Sequence, residues 1–251
     1  DTLSMGKINQ GISLTIAIEG QQGNLPADES NLCWKAAALV QKEYNLQEGV
    51  EIHLTKRIPM AAGLAGGSAD AAAVLKGMNH LFRLGMTEAR LCELGARLGS
   101  DIPFCIMGGT MLATGRGEIL TRLPGFPRLS VVLAKPPVGV STAWAYKTYD
   151  AGYAGPHPDN EAMLAAIHER DAHKAADLLC NVLEGVTETE HPVIADYKRL
   201  MLEHGAIASM MSGSGPTVFG LVREKQQAWH LADILKKYDG EAGVFVAETL
   251  G

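Results

Sequence analysis

Twelve consecutive residues, Pro59-Met-Ala-Ala-Gly-Leu-Ala-Gly-Gly-Ser-Ala-Asp70, carry few bulky side chains and lie between two segments of different period. Upstream, Val50, Ile52 and Leu54 alternate with Glu51, His53 and Thr55, the period-two mark of a half-buried strand. Downstream, Val74, Leu75, Met78, Leu81 and Phe82 fall on one face at 3.6 residues per turn. Strand, glycine loop and helix in that order let backbone N–H groups converge on an anion, while the helix head adds about half a positive charge. The loop has neither the Gly-Lys-Ser/Thr of a Walker A loop nor the G-x-G-x-x-G order of a dinucleotide site. A phosphate cradle is one reading. A tight turn with Ser68 as helix cap and Asp70 as first-turn acid is the other.

Two further pieces carry candidate chemistry. In Gly99-Ser-Asp-Ile-Pro-Phe104 the carboxylate of Asp101 sits at a chain turn, either as a helix cap or as a base that takes a proton from a hydroxyl. The other is Met211-Ser-Gly-Ser-Gly-Pro-Thr217, either a hairpin loop or a second wall facing phosphate or substrate.

Along the chain, strand and helix signals alternate without repeats. Thr87 and Glu88 open a helix as cap and first-turn acid, and Gly99 is expected to close it in a left-handed conformation. Strand-like runs on either side of Thr114-Gly-Arg-Gly117 predict a hairpin between 109 and 120. The Pro- and Gly-interrupted stretch Leu123 to Arg128 precedes an apolar strand over 129–134 and marks the expected boundary between domains 1–126 and 127–251. Helices are expected over 161–170, 172–183, 192–204 and 226–237, with strands flanking 212–216 and a last strand over 244–247. That order predicts an α+β chain whose second half is a small sheet with helices on one face.

Composition narrows the partners. With 251 residues, 47% apolar and 20% charged, 28 Gly and 11 Pro, the chain is neither disordered, collagen-like nor a coiled coil. A formal charge of −6 offers no basic footprint for nucleic acid or an anionic membrane, so any phosphate must be gripped locally. The longest uncharged stretches, 102–115 and 205–222, are Gly- and Pro-interrupted and do not read as membrane spans. Cys33, Cys92, Cys105 and Cys180 form no C-x-x-C pair and are expected as reduced thiols of a cytoplasmic protein. The eight histidines show no ligand spacing, which leaves metal ligands unassigned.

Together the three pieces resemble the motifs of the GHMP small-molecule kinases, over nearly the whole chain. Residues 59–69 match the family's P-M-x-x-G-L-x-G-G-S-A/S loop. Gly99 to Thr110, running into Gly115-Arg-Gly-Glu118, matches a G-A/S-D-V/I-P-F…G-G…G-x-G-E block. That block belongs to the branch acting on a cytidine-diphosphate-linked methylerythritol in the non-mevalonate route to isoprenoid precursors. Asn181-Val-Leu-Glu184 and the 211–217 loop follow in the family's order.

The resemblance implies a two-domain GHMP kinase fold, with a ribosomal-protein-S5-domain-2-like N-terminal domain and a ferredoxin-like C-terminal domain. It also implies transfer of phosphate from ATP, with Mg2+, to the 2-hydroxyl of that small-molecule substrate. Asp101 is then the general base. Pro59, Met60, Ala61, Ala62, Gly63, Leu64, Ala65, Gly66, Gly67, Ser68 and Ala69 bind the ATP phosphates, and Ser68 is the candidate to touch magnesium. Asn31 and Lys56 match positions near the nucleotide, and Gly213, Ser214 and Gly215 complete the phosphate side. Tyr146 is a candidate to stack on the cytidine, or equally a core aromatic on a helix. The family opens with A-K-I/L-N-L and a later G-Y-H. Gly6-Lys7-Ile8-Asn9 is followed by no Gly-Tyr-His, so Lys7 is expected in a loop and the family's first segment, with its lysine and half of the cytidine clamp, is expected to be missing. Another GHMP kinase, for homoserine or a mevalonate-type alcohol, and a catalytically silent nucleotide-binding protein are the alternatives; oligomeric state is unassigned.

Overall fold

In the computed structural model, which describes residues 1–21, 23–152 and 155–250, contacts divide the chain into two units. One comprises Asp1–Met60 and Ala65–Arg122, the other Ala61–Leu64 and the chain from Leu123 onward.

The first unit starts with β1 (Thr2–Ile8), β2 (Ile12–Ile18), α1 (Leu32–Glu43) and β3 (Gly49–Lys56). β3 lies in the middle of the sheet, antiparallel to β1 and parallel to β2, so β2, α1 and β3 form a βαβ crossover. Alternation along β3 buries Val50, Ile52 and Leu54. They share a core with Cys33, Ala36, Ala37 and Val40 of α1 and with Ala71, Val74, Leu75 and Met78 of α2 (Gly66–Leu81). Alanines on the facing sides of α1 and α2 let the two helices approach closely. Next come α3 (Glu88–Ala96) and α4 (Ile102–Met107), which add Leu91, Leu94, Ile102 and Ile106 to the same core. Thr87 caps α3 as expected, its hydroxyl accepting from the Arg90 N–H at 3.2 Å. The hairpin β4 (Met111–Thr114) and β5 (Ile119–Arg122) turns through Gly115 and Gly117, at φ +70° and +108°.

The second unit holds β6 (Ser130–Lys135), α5 (Thr142–Asp150), α6 (Asn160–Glu169), α7 (Ala172–Asp177), α8 (Glu184–Glu190) and α9 (Val193–Glu203). These are followed by β7 (Ala208–Met211), β8 (Val218–Val222), α10 (Lys225–Tyr238) and β9 (Gly243–Glu248). Its sheet runs β7-β8-β6-β9, every neighbour antiparallel. Val132, Ala134, Val218 and Val222 face Ile194, Tyr197 and Met201 of α9 and Leu231 and Leu235 of α10.

Four expectations need correction. Lys7 lies in β1, paired with Val50, with its ammonium 4.7 Å from the centre of the Phe82 ring and 3.1 Å from Glu48, so it is not a loop lysine. Gly99 is not left-handed; α3 ends at Ala96 with a right-handed Arg97, and the Gly99 N–H still reaches the Gly95 carbonyl at 3.0 Å. The helix expected over 172–183 stops at Asp177. The Asn181 side chain accepts from the Leu183 N–H at 3.0 Å, and this turn restarts the chain as α8. Nor are helices confined to one face of the second sheet. Val131, Phe219 and Leu221 point the other way, into a small cluster with Ala172 and Ala176 of α7.

Glu43, at the end of α1, ties that helix to α3 through Arg97 at 2.6 Å and Arg90 at 2.7 Å. Arg97 chiefly, with Arg90, holds its carboxyl below the ordinary range despite partial desolvation. A depressed native value means stability that is present above the unfolded value and lost as pH falls through the native one. Glu43→Gln should therefore lower Tm at neutral pH, with the gap to the parent narrowing as pH falls below the ordinary glutamate range. A gap independent of pH in thermal melts would contradict this.

Candidate active site

The glycine loop leaves β3 with unusual backbone. Ala61, Gly63 and Ala65 have φ of +49°, +69° and +49°, so every second residue across the loop is left-handed. Alternation of hand turns successive N–H groups toward one side, the geometry of an anion nest. The loop then runs into α2, whose N-cap Ala65 provides no side-chain bond. The first backbone bond of that helix is Ala69 N–H to the Ala65 carbonyl, so the N–H groups of Gly66, Gly67 and Ser68 have no partner within the helix. Ser68 is the third helical residue and does not cap. Ala62 is buried and anchors the loop, while Ala61, Ala65 and Gly67 are exposed. Gln21 fixes the entrance, accepting from the Met60 N–H at 2.9 Å and donating to the Ile58 carbonyl at 3.1 Å.

Beneath the head of α2 lies a buried charge cluster. Lys56 donates to Asp70 at 2.9 Å and to Asp1, and all three side chains are almost wholly buried. Asp1 also accepts from the N–H groups of Arg57 and Ile58, at 2.6 and 2.8 Å. Burial pushes the Asp70 carboxyl above its usual range, opposed by the Lys56 bond and charge. Asp70 is thus a core partner of Lys56 and no first-turn acid. A Cβ on Gly66 would stand 2.8 Å from both the Lys56 ammonium and the Ile58 Cγ2, so a larger residue there would have to displace one of them. The neighbouring Cys33 thiol is pushed up to about 12, by burial first and then by the Asp70 charge.

These contacts qualify two expected nucleotide contacts. Lys56 spends its ammonium on Asp1 and Asp70. Asn31 is the N-cap of α1 and 7% exposed; its oxygen accepts from the Cys33 N–H and its amide donates to the Pro26 carbonyl, both at 2.8 Å. Both side chains are buried and hydrogen-bonded within the protein.

Asp101 is different. It precedes α4, whose start is set by Pro103, and α4 packs against α2 and α3. The Asp101 carbonyl accepts the Cys105 N–H at 3.1 Å, but its side chain is exposed and makes no capping bond. The Cys105 thiol is raised by burial and by the charge of Asp101 one turn before it. An exposed, uncapped carboxylate on the unit that carries the head of α2 can accept a proton.

In the second unit, Gly213 and Gly215 are left-handed, at φ +57° and +86°. The Ser212 hydroxyl donates to the Gly63 carbonyl at 2.8 Å, joining this loop to residues 61–64. Ser214 and Gly215 are buried and only Gly213 is exposed. The Ser214 hydroxyl is paired with that of Thr142 at 2.9 Å. Tyr146, on α5, is 54% exposed and is no core residue. It lines a groove of about 450 Å3 with Asn181, Met211 and Phe219. Among the described residues no group of three or more His, Cys, Asp or Glu could hold a metal, all four cysteines are free, and no helix is long and apolar enough to cross a membrane.

Residues 31–109 match the GHMP kinases N terminal domain and residues 163–240 the GHMP kinases C terminal domain. A 4-diphosphocytidyl-2-C-methyl-D-erythritol kinase of Acetivibrio thermocellus is 47% identical over 94% of this chain and 82% of its own. One of Exiguobacterium sibiricum is 45% identical over 100% of this chain and 86% of its own. A crystal structure of 4-(cytidine 5'-diphospho)-2C-methyl-D-erythritol kinase superposes with TM-score 0.80 at 31% identity, covering 99% of this chain and 86% of that one. Homoserine kinase from Cytophaga hutchinsonii, at 23% identity and TM-score 0.78 over 98% of this chain and 84% of its own, shares the fold. Both halves of the α+β architecture and these relatives agree: the chain belongs to the GHMP kinase family, among the 4-diphosphocytidyl-2-C-methyl-D-erythritol kinases.

Proposed function

We propose that the chain transfers the γ-phosphoryl group of ATP to the 2-hydroxyl of 4-diphosphocytidyl-2-C-methyl-D-erythritol, with Asp101 as general base. The observation that carries the reading is the left-handed alternation at Ala61, Gly63 and Ala65 leading into an uncapped helix head. Such a row of unpartnered amides fits a polyphosphate and has little use otherwise. Family membership supports the acceptor.

Magnesium bound with ATP offsets charge on the phosphates, and the Ser68 hydroxyl, in the first turn of α2, is the protein group offered to it. The amides of residues 63 to 68 hold the phosphates, while Lys56 is bonded to Asp1 and Asp70. Asp101 takes the proton from the acceptor hydroxyl as that oxygen bonds to the γ-phosphorus; the bond to the β–γ bridging oxygen breaks and ADP departs. Because such transfers pass through a loose transition state, positioning and local electrostatics supply most of the rate. Tyr146, on α5, is one of the exposed aromatics and is assigned to the cytosine ring. On this reading the nucleotide-binding domain spans 1–126 and the second domain 127–251. The free cysteines support a cytoplasmic enzyme.

ADP release measured with each candidate alcohol tests the acceptor. Turnover is expected with the cytidine-diphosphate-linked alcohol; turnover only with homoserine or mevalonate, or ATP binding with no turnover on any alcohol, would defeat the proposal. Asp101→Asn should lower kcat by about 10² to 10⁴-fold with little change in KM for ATP. A kcat within about tenfold of the parent would remove Asp101 from the role of base.

Gly63 tests the cradle separately. A Cβ there would collide with the Ser212 carbonyl, on top of the roughly 1–2 kcal/mol that left-handed backbone costs an L-residue. Gly63→Ala should raise KM for ATP by about tenfold or more with the KM for the alcohol nearly unchanged, since about 1.4 kcal/mol is tenfold. Equal shifts in both constants would contradict a role confined to the phosphates.

A further inference from the structure

We propose that Asn181, assisted by Glu184, is a positioning residue that sets nucleotide affinity by latching the 211–217 loop against Gly63; the inference rests on the phosphate-cradle reading above. The loop's backbone is held chiefly by side chains from the turn into α8 and from α8 itself. The Asn181 amide donates to the carbonyls of Met211 and Gly213, both at 2.8 Å, while its oxygen accepts from the Leu183 N–H at 3.0 Å. All of its polar atoms are therefore used. The Glu184 carboxylate accepts the Met211 N–H at 2.6 Å and is itself held by Lys198, which also reaches Glu188 at 2.7 Å. Each side of Met211 is thus clamped by a different residue of one short segment.

The latch matters because of what lies between its two carbonyls. Ser212 sits between Met211 and Gly213, and its hydroxyl makes the 2.8 Å bond to the Gly63 carbonyl. Gly63 is in turn the middle left-handed residue of the cradle. Fixing the carbonyls on either side of Ser212 fixes where its hydroxyl points, and so where the Gly63 peptide and its neighbours are held. The spacing Asn181-x-x-Glu184 suits this work, since the amide forms the turn and the carboxylate, three residues on, opens the next helix on the same side. A purely structural latch would stabilise the unit without touching nucleotide binding, and the two roles separate experimentally.

Asn181→Asp keeps the acceptor for Leu183 but replaces both donors by a carboxylate facing two carbonyls; Asn181→Ser, smaller and neutral, is the second variant should the first not fold. Dissociation constants for a non-hydrolysable ATP analogue, measured by calorimetry on the full chain with Tm as the control, are expected to rise about tenfold in either variant. Ser212→Ala should weaken binding by about three- to tenfold, and the double variant should bind within about twofold of Asn181→Asp (or Asn181→Ser) alone, because the two act through one contact. Unchanged affinity in a folded Asn181 variant, or fully additive losses with Ser212→Ala, would overturn the latch while leaving the cradle intact. Failure of the parent chain to bind the analogue would overturn the cradle itself, and the latch with it.

Discussion

Left-handed backbone at three alternate positions, two of them alanine, is the constraint on which the site depends. Ala61 and Ala65 each carry a conformation costing an L-residue roughly 1–2 kcal/mol, and such strain persists only where the surroundings over-determine it. Here the surroundings are identifiable. Gln21 pins the entrance, burial of Ala62 anchors the interior, and Ser212 grips the Gly63 carbonyl. Relaxing the loop to right-handed or extended backbone would turn its amides away from one another, and the row leading into α2 would be lost.

A chain of net charge −6 that handles a polyanion must do so with local positive potential. On the proposed reading backbone dipoles supply it. Lys56, the lysine nearest the loop in sequence, is sequestered under the helix head by two carboxylates. Asp101 completes the contrast: in the same unit Asp1 and Asp70 are buried against a lysine, whereas Asp101 is exposed without a capping bond. Their chemistry follows from those environments.

Much of the fold was legible because its signals are local. The change of period from two to 3.6 around residues 59–70 marks strand, loop and helix, and Thr87 and the pair Gly115 and Gly117 announce a cap and a turn by residue type alone. What escaped depends on contacts distant in sequence. β1 alternates poorly, because Lys7 stands where the apolar face of Leu3 and Met5 would continue, and Lys7 is explained only by Phe82 and Glu48. The apolar run through Leu183 reads as one helix until the Asn181 side chain is seen to close a turn. At the site, the glycine loop and Asp101 stand out by residue type. The burial of Lys56 and the pairing of Ser214 rest on partners 14 to 72 residues away and carry no local mark.

Backbone amides, rather than side-chain cations, are the central claim, and amide chemical shifts report on them directly. Titration of the isotopically labelled chain with a non-hydrolysable ATP analogue and magnesium, followed by proton–nitrogen correlation spectra, should move the amides of Gly63, Gly66, Gly67 and Ser68 most. Those resonances staying in place while the analogue binds, with the large changes falling on lysine and arginine side chains, would contradict the account.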